Sequence, residues 1–194
     1  MLVNLWAGDG TPGGTLLVKS FNKEVVFNMI SRAPGDRAIF TAMPAPQMSS
    51  GCRTEPPVGT TAIKSNLTVE LGDVAILGGS VLFAASDTVN GYELWTTDLS
   101  PGGTVLLKEL SPGKADGFPN KFSVVGSRAF FDAGDGVHGR ELWSTDGSPG
   151  GTIHGDLYAG PVGSNPSRVV SMSNKVYFSA TETSSGREIW SFQP

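Results

Sequence analysis

The sequence predicts an all-β chain, and three observations carry that prediction. Glycine (26 of 194 residues) and proline (13) are frequent while charged residues make up only 16%, a composition that interrupts helices and supplies tight turns. No ten-residue window shows helical periodicity; short apolar or alternating runs recur instead between loops rich in Gly, Asp and Pro. The third observation is repetition. Trp6, Trp95 and Trp143 each stand eight positions before the glycine of a Gly-Thr pair, Gly14-Thr15, Gly103-Thr104 and Gly151-Thr152.

A fourth tryptophan, Trp190, follows Trp143 by 47 residues, and Trp143 follows Trp95 by 48. The 89-residue gap between Trp6 and Trp95 holds a degenerate copy, Pro57-Val58-Gly59-Thr60, which places Gly51 at the tryptophan position and gives periods of 45, 44, 48 and 47. Units of this length with several short strands imply a β-propeller, each unit a four-stranded sheet that buries its faces against its neighbours. The expectation is a β-propeller of about four blades built from 44–48 residue repeats, or a partial propeller. It forms a single domain, 1–194, with units at about 6–50, 51–94, 95–142 and 143–189 and a partial copy to 194.

The chain enters this pattern at once, with Met1-Leu2-Val3-Asn4-Leu5-Trp6, which leaves no room for a signal peptide. It is therefore expected to be cytosolic or a piece of a longer protein. Residues 21–30 (FNKEVVFNMI) read as a first strand and 38–43 (AIFTAM) as a second. Pro44–Ser50 then replaces the Gly-rich loop and the tryptophan, so this copy has drifted or has released an edge for binding. The next unit reads as four strands, 67–77, 80–86, 92–97 and 104–110, and its successor as Pro119–Val125, Arg128–Ala133, Arg140–Thr145 and Thr152–Leu157. The last unit contributes 167–172, 175–180 and 187–192. The second strands are almost wholly apolar, as in sheets covered on both faces. Each buried Phe or Leu contributes about 1.5–3 kcal/mol, so a lone unit would bury too little to fold. Both ends carry a third strand. A closed four-bladed ring therefore has one strand too many, whereas an arc of a larger ring has two unfinished blades.

The stretch Glu141-Leu142-Trp143-Ser144-Thr145-Asp146-Gly147-Ser148 resembles the repeat of the bacterial ELWxxDGT family, with Ser for the final Thr. Tyr92-Glu93-Leu94-Trp95-Thr96-Thr97-Asp98-Leu99 keeps Asp with Leu for Gly, and Asn4-Leu5-Trp6-Ala7-Gly8-Asp9-Gly10-Thr11 keeps Asp-Gly-Thr with Asn for Glu. The resemblance covers nearly the whole chain, weakly between about Lys19 and Ser80. It implies propeller repeats of a large secreted or cell-surface protein, and it transfers no catalytic residue.

Composition narrows the function. A net charge of -4 and a pI near 5.1 argue against nucleic acid as a partner, and no apolar run is long enough for a membrane span. One cysteine, Cys52, excludes an intrachain disulfide and a cysteine metal cluster, and it reads as a small apolar strand residue. Asp9, Asp98 and Asp146 recur before Pro-Gly-Gly, where an Asp fixes a turn by accepting backbone N–H bonds. Glu93, Glu141 and Glu188 recur likewise and are expected to make blade-to-blade contacts. A second loop runs from an acid to a Gly four residues on: Asp87–Gly91, Asp135–Gly139 and Glu182–Gly186. Asx-turn chemistry explains these, although Asp132 and Asp135 fall close enough to raise Ca²⁺. That ion needs six to eight oxygens, and the spacing does not fit an EF-hand, so no cofactor and no metal are assigned.

His138 and His154 are singular, with Asn90 and Leu106 at the sister positions. Asn66-Leu67-Thr68 is a formal glycosylation sequon. No nucleophile elbow, zinc-protease helix or phosphate loop is present, so no catalytic residue is assigned. The candidate binding residues are Asp132, Asp135, His138 and Arg140. The leading reading is a non-catalytic β-propeller repeat module for protein or ligand binding, with a protein or a glycan as candidate partner. The alternatives are a carbohydrate-binding lectin with sites between blades and an enzyme with an axial site.

Overall fold

A computed structural model of the chain describes residues 64, 66–100, 102–173 and 175–193, of which Leu71 and Gly72 are described by backbone alone, together with the backbone of four earlier strands. Those four form two antiparallel pairs: β1 (Val3–Ala7) with β2 (Leu16–Phe21), and β3 (Val25–Ala33) with β4 (Arg37–Pro44). Sheet I follows, with β5 (Thr68–Leu77), β6 (Ser80–Ser86), β7 (Glu93–Thr97) and β8 (Thr104–Lys108) paired in chain order. Sheet II repeats that order with β9 (Asn120–Val125), β10 (Arg128–Gly134), β11 (Arg140–Thr145) and β12 (Ile153–Gly155). Sheet III has β13 (Val170–Met172), β14 (Lys175–Glu182) and β15 (Gly186–Phe192). Every pairing is antiparallel and there is no helix among the described residues, so the fold is all-β.

Sheets I and II match the expected strands closely, because Gly-rich turns and alternating runs are local signals. Where they differ, a side chain takes the backbone out of the ladder. The expected strand Thr152–Leu157 shortens to β12 because the Leu157 N–H turns to donate to Glu141 Oε2 (3.3 Å). In sheet III, Ser167 N–H still reaches Ser179 O (2.8 Å), but the regular ladder begins only at Val170. The expected first strand at 21–30 divides between the end of β2 and the start of β3. Asp9, Gly14-Thr15, Gly51, Cys52 and Pro57–Thr60 lie outside the described residues.

The sheets stack face against face. Leu82, Leu94 and Leu107 of sheet I pack on Phe122, Phe131 and Trp143 of sheet II. The opposite face of sheet II, with Phe130 and Leu142, packs on Val176, Phe178 and Ala180 of sheet III. Period-two alternation produces this directly, since successive residues of β10 point to opposite faces. In sheets I, II and III the tryptophan stands across from a phenylalanine of the second strand: Trp95 opposite Phe83, Trp143 opposite Phe131 and Trp190 opposite Phe178. Trp143 and Phe131 lie nearly parallel, 6.3 Å between centroids. Two of the indole N–H groups are used locally, Trp143 donating to Ala133 O (3.1 Å) and Trp190 to Ala180 O (3.3 Å).

The edges of the three sheets differ. The side chain of Arg168, just before β13, donates from Nη2 to both carboxylate oxygens of Asp73 on β5 (3.0 Å each) and from Nη1 to Phe122 O on β9. Lys121 on β9 donates to Pro166 O (2.9 Å). The segment that leads into β13 is therefore tied by side chains to the first strands of both sheet I and sheet II. At the other edge, all three residues of β12 are exposed.

Candidate functional site

The recurrent acids act locally. Glu93, buried at the start of β7, accepts hydrogen bonds from Leu110 N–H (2.5 Å) and Ser111 N–H (3.3 Å). Glu141, buried at the same place in β11, accepts from Ser164 N–H (2.7 Å), Ser164 Oγ–H (2.5 Å) and Leu157 N–H. Each glutamate thus ties its own third strand to the segment that leads into the next sheet, and the Ser164 carbonyl held beside Glu141 in turn accepts from Thr181 N–H of sheet III (2.8 Å), so Glu141 links the two sheets as a blade-to-blade contact would. Burial pushes the Glu93 carboxyl up to about 7, against the pull of the backbone N–H groups. Glu188, the third member, is exposed on β15.

Asp98 accepts from the Ser100 backbone (2.8 Å) and hydroxyl (2.6 Å), and Asp146 accepts from the same groups of Ser148 (2.9 and 2.7 Å). These are the expected turn clamps. The Gly-Thr pair now has a physical cause: a Cβ at Gly103 or Gly151 would overlap the Asp98 or Asp146 carboxylate. Each threonine meets a partner across the hairpin, Thr104 with Thr97 (2.9 Å) and Thr152 with Thr145 (2.8 Å), both pairs buried.

The four candidate residues fall into two groups around the β10–β11 connection. Asp132 is 2% exposed, and its oxygens receive Arg140 Nε (2.9 Å) and Lys121 Nζ (2.7 Å). Arg140 also donates to Phe118 O (2.9 Å) and Asp132 O (3.1 Å). The aspartate replaces Ala84 and Ser179 of the sister strands, so the triad belongs to sheet II alone. Lys121 was not legible as a member. The available signal was an aspartate inside the apolar run AFFDA, which needs a cation once buried.

Asp135 opens the loop. Its Oδ1 accepts from Val137 N–H (2.8 Å) and His138 N–H (2.7 Å), and its Oδ2 lies 2.6 Å from His138 Nδ1. Burial alone would raise the Asp135 carboxyl, but the hydrogen bonds from His138 and Val137 outweigh it and hold the group down at about 2. The same side-chain bond raises His138 above its ordinary value. In sheet I, Asp87 makes the equivalent loop with Val89 and Asn90. Asp132 and Asp135 are thus held by different partners, the first by Arg140 and Lys121 and the second by Val137 and His138.

His154 joins this second group. It stands opposite Trp143 in the β11–β12 register, its ring 4.8 Å from the indole and 5.4 Å from His138. One ligand atom from each of Asp135, His138 and His154 lies within 4.8 Å of the others. The sequence marks both histidines as singular but does not unite them, because they meet only through a loop folding back on the sheet edge.

A cleft of about 310 Å³ opens nearby, lined by Glu70, Asp73, Ala84, Phe118, Pro119 and Asn120. Phe118 forms one wall, stacked on Tyr92 at 4.8 Å, with its carbonyl held by Arg140. Asn120 Oδ1 is buried and has no partner among the described residues.

Comparison with protein-family models, with curated proteins and with solved structures finds no match.

Proposed function

We propose that the chain is a non-catalytic β-propeller module, closed or partial, that presents a ligand- or protein-binding surface as part of a secreted or surface bacterial protein. The observation that carries the architecture is the Asp73–Arg168 contact between β5 of sheet I and the segment that leads into sheet III. Sheets that stack on their faces and converge at their first-strand edge fan out from an axis, which is the geometry of blades. The recurrent acids support the non-catalytic part. Asp87, Glu93, Asp135, Glu141, Asp146 and Glu182 all accept hydrogen bonds within their own loops or connections. The tryptophans of sheets I and II are buried and offer no face to a sugar, which weighs against a lectin built on repeated aromatics.

Binding is assigned to the cleft walled by Phe118, with Glu70, Asp73 and Asn120 supplying its polar lining. A thermal-shift screen against oligosaccharides and short peptides tests this. The expected result is a stabilising compound whose effect is lost in Asn120→Ala. Turnover of any member of a chromogenic hydrolase-substrate panel would overturn the non-catalytic reading. Solution scattering tests the architecture: a compact single ring of this length has a radius of gyration of about 16 Å, and a distinctly larger value favours an open arc.

A further inference from the structure

We propose that Asp135, His138 and His154 form a binding site for a transition-metal ion of the zinc class at the loop edge of sheet II. The proposal is independent of the binding-module reading.

The donor set comes first. Two imidazoles and one carboxylate make an N₂O set that suits Zn²⁺, Cu²⁺ or Ni²⁺, whereas Ca²⁺ and Mg²⁺ call for oxygen ligands. Zinc holds such ligands at about 2.0–2.2 Å, so atoms coordinating one ion lie within about 4.4 Å of one another. The three donors already lie within 4.8 Å. His154 is exposed and His138 is 36% exposed, so small rotations of either ring close the remaining distance. Trp143 lies under the His154 ring and limits its swing to one side. The Asp135–His138 hydrogen bond pre-orients the other two donors, and metal entry displaces the proton between them. Asp156 adds negative charge near His138. Three protein ligands on an exposed edge leave a fourth position open to water or to a group from a partner.

The second line of argument is that the fold does not need these histidines. Sheet I has the same loop, with Asp87 clamping Val89 and Asn90. It also has the same cross-strand position, Leu106 opposite Trp95 where His154 stands opposite Trp143. Asparagine and leucine satisfy the loop and the strand there. Both histidines of the chain therefore stand where structure is indifferent to them, and they converge on one carboxylate.

Calorimetric titration of the full chain with Zn²⁺ near neutral pH tests the assignment. The expected result is one ion per chain, with binding weakened as pH falls because the ligands must be deprotonated. His154→Leu and His138→Asn carry the residues of sheet I into sheet II. Each is expected to weaken binding at least about tenfold, the lower end of what loss of a supporting group does to a metal site, with metal-free melting at neutral pH changed little, because asparagine can take over the side-chain bond to Asp135 as Asn90 does with Asp87 (3.2 Å). In the converse experiment, the double variant Asn90→His and Leu106→His places the same set around Asp87 in sheet I and is expected to bind a second ion. Zinc binding of undiminished affinity in both single variants, or no heat of binding in the parent chain at millimolar zinc, would overturn the proposal. The converse variant keeps the test decisive if a single variant fails to fold.

Discussion

Sheets I and II run the same course with the same turns, and they part company at the loop after the second strand. Sheet I has Ala84, Asn90 and Leu106 where sheet II has Asp132, His138 and His154. What the two share is structural in each instance: a glutamate clamping the exit segment, an aspartate closing the hairpin, a threonine pair beneath it and a tryptophan on a phenylalanine. What they do not share is a buried aspartate held by two partly exposed cations and a histidine pair, neither of which the common fold requires. Repetition thus separates the scaffold from the residues laid on it, a distinction that a single sheet could not have provided.

The largest test of that equivalence is in the core. Phe131 of sheet II and Phe83 of sheet I are almost fully buried, at 1% and 2% exposure. Truncation of either to alanine is expected to cost about 3–5 kcal/mol in urea denaturation. Equal losses sharpen the comparison, while a loss at Phe83 less than half that at Phe131 breaks it by showing that the outer face of sheet I is less well covered.

A smaller effect is expected from Glu93→Gln, which sets an amide N–H against the donors of Leu110 and Ser111 and should cost about 1–3 kcal/mol. Its diagnostic value lies in pH. The folded carboxyl is raised to about 7, above its unfolded value of 4.5, so the folded state binds the extra proton. Its contribution to stability is full below the unfolded value and is lost as pH rises through about 7. Urea midpoints of the parent chain should fall across that window, and those of the glutamine variant should fall less, by the part that His138 contributes.

The smallest effect concerns His138 alone, since Asn90 gives sheet I nothing to titrate there. Proton NMR should place the His138 ring above 6.5, and Asp135→Asn should bring it down. The sign follows from both partners: the raised histidine contributes below its unfolded value and loses that contribution as pH rises through its folded one. The depressed Asp135 contributes above its unfolded value of 3.8 and loses that as pH falls through about 2. An unmoved His138 in the Asp135 variant would show that the pair does not persist in solution.

Much of sheets I and II is legible in the sequence. The strands 80–86 and 140–145 have the expected bounds because each is an apolar or alternating run closed by glycine and aspartate. Asp98 and Asp146 are legible as turn clamps because their partners lie two residues away. The groups that Glu93 and Glu141 hold are not, because they lie 17 and 23 residues on, in segments with no pattern of their own. Asp132 stands out along the chain as peculiar to its copy, yet its partner Lys121 lies on another strand and gives no sign.

The sequence by itself determined the all-β class, the hairpins, the turn chemistry and which residues recur, since these depend on spacings of a few residues and on the two-residue alternation of a strand. Only the tertiary structure decided that Asp73 meets Arg168 across 95 residues, that Asp132 lies between two cations, and that the chain's two histidines share one carboxylate. Those contacts depend on how twisted sheets stack and where their loops fold back, and side-chain spacing along one chain does not encode the rotation between one sheet and the next.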